Sequence, residues 1–126
     1  QRQMCIRDRA VFVDSRRQAA ALVRENLAAT GLGDRASVVC GEALAYLRSA
    51  GERFDLIFVD PPYAAGLWES VLSAISQFDI LSDHGIIICE SPAKQAMPER
   101  AGRCVRGRDY RYGTVKITLY HREEAL

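Results

Sequence analysis

Phe54-Asp55-Leu56-Ile57-Phe58-Val59-Asp60-Pro61-Pro62-Tyr63 is the stretch whose reading decides the fold. Its first six residues are rich in aromatic and branched side chains and too few for a helix, so they read as a buried strand. The strand stops on an acid, two prolines and an aromatic. Proline fixes φ and lacks an N–H, so Pro61-Pro62 makes a stiff turn poor in donors. Pro61 also drives Asp60 into extended backbone, which sets the direction of its carboxylate. In open α/β sheets ligands bind beyond the carboxyl ends of the strands. This end offers a rigid set of acceptors beside a flat ring. The exocyclic amine of a nucleobase, with two N–H donors and a π-face, has the matching chemistry. Read alone, the same residues also fit a plain strand-ending turn with a polar cap.

Working outward, strands and helices alternate. Ala10-Val11-Phe12-Val13-Asp14 is a short apolar strand ending in an acid. Ser15 is placed to cap a helix over 16–30, with Ala19, Ala20, Val23 and Leu27 on one stripe and Gly31 closing it. Residues 36–40 form the next strand. Gly41-Glu42 opens a helix through about Ser49, with Ala43, Leu44 and Leu47 inward. After the proline turn, a helix over 67–78 carries Leu67, Val71, Leu72, Ile75 and Phe78 on its apolar side, and Trp68 reads as core. Asp83-His84-Gly85 turns into a strand over 86–90, Ser91-Pro92 breaks it, and residues 93–101 read as a loop or short helical piece. Two strands, about 103–109 and 113–120, form an antiparallel hairpin around Arg111-Tyr112-Gly113. Such alternation implies parallel strands with right-handed helical crossovers, so the fold class is α/β with a mostly parallel sheet and a C-terminal antiparallel hairpin. Residues 1–9 show no periodicity and no cap. They are expected to be a non-native or disordered segment, with 10–126 the C-terminal part of a single domain.

The 126 residues are 48% hydrophobic and 26% charged, which excludes a disordered chain and suits one domain with a core. No apolar run approaches membrane-spanning length, and no signal-peptide pattern opens the chain. Cys5, Cys40, Cys89 and Cys104 are scattered, with no C-x-x-C pair, and read as reduced thiols of a cytoplasmic protein rather than a metal site. The net charge of +1 hides an asymmetry. Lys94, Arg100, Arg103, Arg106, Arg108, Arg111, Lys116 and Arg122 face only Glu99 and Asp109 between residues 94 and 122. A basic C-terminal third suggests a polyanion-facing side, with solvated arginines on edge strands as the alternative.

A fold that binds a nucleoside cofactor needs a first strand that runs into a glycine-rich turn and a helix. Here the first recognisable strand, 10–14, already ends in an acid, and no strand of the chain runs into such a turn. An acid at that place is the mark of a second strand, so the chain is expected to begin inside a domain. Its first strand and glycine loop would then be missing.

Val13-Asp14, Glu25-Asn26-Leu27, Gly41-Glu42-Ala43, Phe58-Val59-Asp60-Pro61-Pro62-Tyr63 and Ile88-Cys89-Glu90 follow one another as in class I S-adenosylmethionine-dependent methyltransferases. With Leu119-Tyr120-His121-Arg122-Glu123 near the end, the chain resembles the RsmD family, bacterial 16S rRNA guanine-N2 methyltransferases. The resemblance implies a Rossmann-like three-layer sandwich and S-adenosyl-L-methionine as cofactor. It implies 16S rRNA or a small-subunit assembly intermediate as partner, a cytoplasmic monomer, and no membrane. By the same resemblance Asp60, Pro61, Pro62 and Tyr63 are catalytic, with Asp60 and the Pro61 carbonyl holding the amine and Tyr63 stacking on the flipped base. Asp14, Glu42, Ala43 and Asp60 would hold the cofactor, Asp14 at the ribose hydroxyls and Glu42 near the adenine. Helix capping competes for both Asp14 and Glu42. An adenine-N6 methyltransferase and a non-catalytic nucleic-acid or partner-binding module remain the alternatives. Without a glycine loop, the chain alone is expected to bind cofactor weakly and to be inactive.

Overall fold

The computed structural model describes residues 2–6, 9–60 and 67–123. One eight-stranded sheet runs through them in the order β3-β2-β1-β4-β5-β8-β7-β6. The strands are β1 (Arg2–Ile6), β2 (Arg9–Asp14), β3 (Ala36–Cys40), β4 (Phe54–Val59), β5 (Leu81–Pro92), β6 (Arg100–Ala101), β7 (Cys104–Tyr112) and β8 (Val115–Arg122). The helices are α1 (Arg17–Ala29), α2 (Ala43–Ser49) and α3 (Leu67–Gln77). β2 and β3 are parallel, as are β4 and β5, while β8 and β7 return antiparallel. The expected mixed α/β sheet with its closing hairpin is therefore present.

Residues 2–6, to which the sequence reading assigned no element, form β1 and lie between β2 and β4, antiparallel to both. The physical reason is ladder completion. Two parallel strands one strand-width apart leave facing rows of N–H and C=O groups, and an extended segment satisfies both rows whatever its own periodicity.

The helices divide between the two faces because β2→α1→β3 moves along the sheet in the opposite direction to β3→α2→β4 and β4→α3→β5. On one face Val11, Val13, Ile57, Val59, Ile87, Cys89 and Tyr120 are buried with Leu47, Trp68, Val71, Leu72 and Ile75 of α2 and α3. On the other, α1 packs against β2 and β3, and Leu56 and Ile86 stay 39% and 43% exposed. The strand expected to be buried throughout is thus buried on one side.

Local chemistry explains the element ends. Gly31, at φ +74°, ends α1 in a Schellman turn: Leu32 N–H donates to the Leu27 carbonyl (2.9 Å) and Gly31 N–H to that of Ala28 (3.2 Å). The Gly31-Leu32-Gly33 spacing therefore closes a helix and is no phosphate loop. Ser15 does not cap α1; the cap position falls on Arg16, with no side-chain bond to the helix. The expected turn at Asp83-His84-Gly85 lies inside β5, where the pairing jumps from Phe54↔Leu81 to Leu56↔Ile86 and Ser82 Oγ donates to Asp55 Oδ1 (2.6 Å).

The loop after β5 is tied to the sheet by side chains. Lys116 Nζ donates to the Gln95 carbonyl (2.5 Å), Arg106 Nη1 to that of Met97 (2.9 Å) and Tyr120 Oη to that of Pro98 (2.7 Å). Cys89 and Cys104 are buried thiols, pushed up to about 12 and about 11, in each case chiefly by burial. Thr118 is fully buried, and its hydroxyl meets no partner among the described residues. Thr118→Val removes an orphan polar group at constant shape. It should raise stability by about 1 kcal/mol in urea melts with the m-value unchanged.

Candidate active site at the carboxyl edge of the sheet

β2, β3, β4 and β5 all point the same way, since β1 is antiparallel to both β2 and β4. Their carboxyl ends form one edge, which reads Glu42, Asp14, then Asp60 and Glu90 across the sheet. The direction of the crossovers reverses between β2 and β4, which is where a ligand crevice is expected in such a sheet. Asp14 and Asp60 flank that point.

Asp14 is buried, 7% exposed. Its Oδ1 accepts the Arg16 backbone N–H (2.9 Å) and Nε (3.3 Å), and its Oδ2 accepts Arg16 Nη2 (3.4 Å). Burial acts to raise this carboxyl, but the hydrogen bonds from the Arg16 side chain and backbone outweigh it and hold Asp14 below the usual carboxylate range. The Arg16 side chain is 73% exposed, so it can swing aside with little loss of packing. A carboxylate whose folded-state value is depressed stabilises the fold above its unfolded value, near 3.9, and the contribution disappears as pH falls through the folded value. Asp14→Asn should therefore cost about 1 kcal/mol at pH 7, a figure reduced by the exposure of Arg16, and less at an acidic pH below the unfolded value. Urea melts of both proteins at the two pH values check this.

Glu42 occupies the cap position of α2, yet its side chain makes no capping bond and stays exposed. Ala43 is the first residue of α2 and is buried. Its N–H belongs to the first helical turn, whose donors have no partner within the helix.

Asp60 follows Val59, which pairs with Cys89 in the parallel register, so the next rung sets Asp60 beside Glu90. Both lie on the half-covered face, in line with Leu56 and Phe58 on β4 and Ile86 and Ile88 on β5. Burial first, then the Asp60 charge and side-chain hydrogen bonding with Asp60, push Glu90 above the usual carboxylate range. Trp68 Nε1 donates to the Glu90 carbonyl (3.3 Å) and fastens the start of α3 to the end of β5. Pro61, Pro62 and Tyr63, the remaining catalytic expectations, lie outside the described residues. Glu90, left out of the expected site, carries the same signal as Asp14 and Asp60: a third apolar strand ending in an acid, Ile88-Cys89-Glu90, one crossover after the strand that ends on Asp60.

The basic third of the chain divides on inspection. Arg100 pairs with Glu123 (2.8 Å), Arg122 with Asp79 and Asp83 (3.1 Å each), and Arg106 is held by Met97 and Glu99. Arg106, one of the residues that make the C-terminal third basic, is thus directed at the loop. Arg103, Arg108 and Arg111 are exposed. Tyr110 and Tyr112, 39% and 66% exposed, sit opposite Ile117 and Val115, which in turn sit opposite Glu90 and Pro92. Paired residues share a face, so both rings stand on the Glu90 side of the sheet, roughly 10 Å away at two strand spacings. Among the described residues no His, Cys, Asp and Glu cluster could hold a metal, and no helix is long and apolar enough to cross a membrane.

Comparison with known proteins supplies the family. The family model described as "Conserved hypothetical protein 95" matches residues 5–121. The chain is 30% identical over 116 residues to "Putative rRNA methyltransferase YlbH" of Bacillus subtilis, covering 90% of this chain and 63% of that protein. It is 29% identical over 114 residues to "Ribosomal RNA small subunit methyltransferase D" of Escherichia coli, covering 90% and 57%. The chain thus spans about three fifths of the length of these relatives. The solved structure titled "Putative methyltransferase yhhF from Escherichia coli" superposes with a TM-score of 0.83 at 28% identity, over 94% of this chain and 66% of that one. A class I methyltransferase sheet, with its acids lined up along the carboxyl edge and a family model that matches nearly the whole chain, makes this protein a member of the RsmD methyltransferase family.

Proposed function

We propose that the protein carrying this chain transfers a methyl group from S-adenosyl-L-methionine to the exocyclic N2 amine of a guanine in 16S rRNA. The observation that carries the reading is the Asp60 carboxylate at the end of β4, beside the crossover reversal and level with Glu90, in a chain related to proteins named as rRNA methyltransferases. The guanine amine is a poor nucleophile because its lone pair is delocalised into the ring. Asp60, with the Pro61 carbonyl, accepts the amine N–H bonds, restores electron density at nitrogen and aims it; positioning supplies much of the gain. Tyr63 stacks on the base once it leaves its helix, a contact worth about 1–3 kcal/mol.

The residues present fit the cofactor. Asp14 already acts as a buried acceptor of several donors, which is the chemistry that two adjacent ribose hydroxyls require. Glu42 and the Ala43 N–H stand at the next strand end for the adenine. When bound, the cofactor supplies an electrophilic methyl on sulfur. The exposed Tyr110 and Tyr112, with Arg108 and Arg111, offer unpaired RNA rings to stack on and charges for its phosphates. Such a substrate implies a cytoplasmic protein, acting here as a monomer.

The test is transfer of labelled methyl to small-subunit rRNA, followed by nucleoside mass spectrometry. N2-methylguanosine is expected. N6-methyladenosine would replace the substrate with adenine, and no methylated nucleoside would leave a module that binds without catalysing.

A further inference from the structure

The proposed reaction gives Glu90 no part, yet the strand register sets Glu90 beside Asp60. Three observations bear on it. The parallel register continues from Val59↔Cys89 and sets the two acids on adjacent strand ends, on the same face. On adjacent parallel strands the two carboxyl groups stand about one strand spacing apart, close enough for the like charges to favour holding one proton between them. An ionised carboxylate only accepts, so a hydrogen bond between two carboxyl groups requires one proton between them. The backbone around Glu90 is also held firmly. Trp68 donates to its carbonyl, and β8 pairs with the strand on its other side at Glu90↔Ile117.

We propose that Glu90 is a positioning residue for Asp60: the two carboxyls share a single proton, carried by Glu90, whose O–H donates to Asp60 and fixes the oxygen presented to the target amine. The role rests on the methyl-transfer reading above, whereas the shared proton rests on the register of β4 and β5 and does not depend on that reading. Two consequences follow. The pair bears one negative charge instead of two, which removes like-charge repulsion at a crowded edge. Asp60, engaged by Glu90 through one oxygen, keeps its remaining acceptor capacity for the amine N–H.

The charged surroundings are compatible with this. Of the groups on elements packed against Glu90, Asp60 on β4 acts on it directly. On β8, Lys116 directs its ammonium to the Gln95 carbonyl. On α3, Glu69 is exposed to solvent. Burial and the Asp60 charge both favour the protonated form of Glu90. The sign is then settled: the donated bond is present at low pH and lost as pH rises through the raised Glu90 value.

Two measurements test the pair. Carboxyl-carbon NMR titration of this chain should show Glu90 protonating above the range of a free glutamate, and Asp60→Asn should move that titration back down. Methyl-transfer rates between pH 5 and 9 should then separate two variants. Glu90→Gln keeps an N–H donor at every pH, so its rate relative to the native protein should climb with pH. Glu90→Ala loses the donor and should fall at least about tenfold below Glu90→Gln at every pH, with cofactor affinity unchanged. Equal rates for Gln and Ala, or a Glu90 titration indifferent to Asp60→Asn, overturns the proposal. If the native protein methylates no RNA, the functional reading falls, and with it the positioning role. The titration still decides whether the proton is shared.

Discussion

Asp60→Ala, in the protein that carries this chain, is expected to lower methyl transfer to small-subunit rRNA by about 10²–10³-fold while leaving cofactor affinity within about threefold. The magnitude follows from what preorganised hydrogen-bonding groups do at a reacting centre, where loss of one such group costs about 2.7–4 kcal/mol of transition-state stabilisation. The target amine loses the acceptor that orients it, so the loss should fall on the rate at saturating substrate. Cofactor binding should change little because Asp14, Glu42 and Ala43, three of the four residues expected to hold the cofactor, stand on the far side of β1 from Asp60 and are left in place. Single-turnover transfer with calorimetry of cofactor binding separates the two effects. Undiminished transfer would remove Asp60 from the reaction, and a parallel collapse of cofactor binding would reassign it to the donor pocket. The fold should survive, because Asp60 is at a strand end and only part-buried.

The second large effect is structural. Phe54→Ala should cost about 3–5 kcal/mol, a large share of the roughly 5–15 kcal/mol that holds a domain folded. Phe54 is fully buried at the start of β4, and its N–H donates to the Ile80 carbonyl (2.7 Å) where α3 turns into β5. The ring also lies beside the register jump between Leu81 and Ile86, so the cavity left by its removal borders an irregular ladder. Urea denaturation followed by circular dichroism should show a lower midpoint at constant slope. Loss of cooperativity instead would mean that the β4–β5 junction unfolds as a separate unit.

These predictions rest on parts of the molecule that differ in how far the sequence discloses them. Periodicity and turn chemistry are local, and they were legible: β4 over Phe54–Val59, the buried stripe Val71, Leu72 and Ile75 on α3, the glycine ending α1, and the hairpin of β7 and β8. So was the row of strand-end acids, because an apolar run that stops on Asp or Glu needs no partner to be noticed. Partners were not legible. That Glu90 stands beside Asp60, thirty residues away, depends on the rung at which β5 meets β4, and a three-residue irregularity inside β5 shifts that rung. That Arg106 turns inward while Tyr112 faces solvent depends on which face of the sheet the loop after β5 covers. Residues 2–6 became a strand because the gap between β2 and β4 supplies two ladders, a demand absent from their own side chains. Sequence alone determined which residues stand at the ends of strands. Tertiary structure decided which of those ends touch, because strand register is set by packing between segments far apart in the chain.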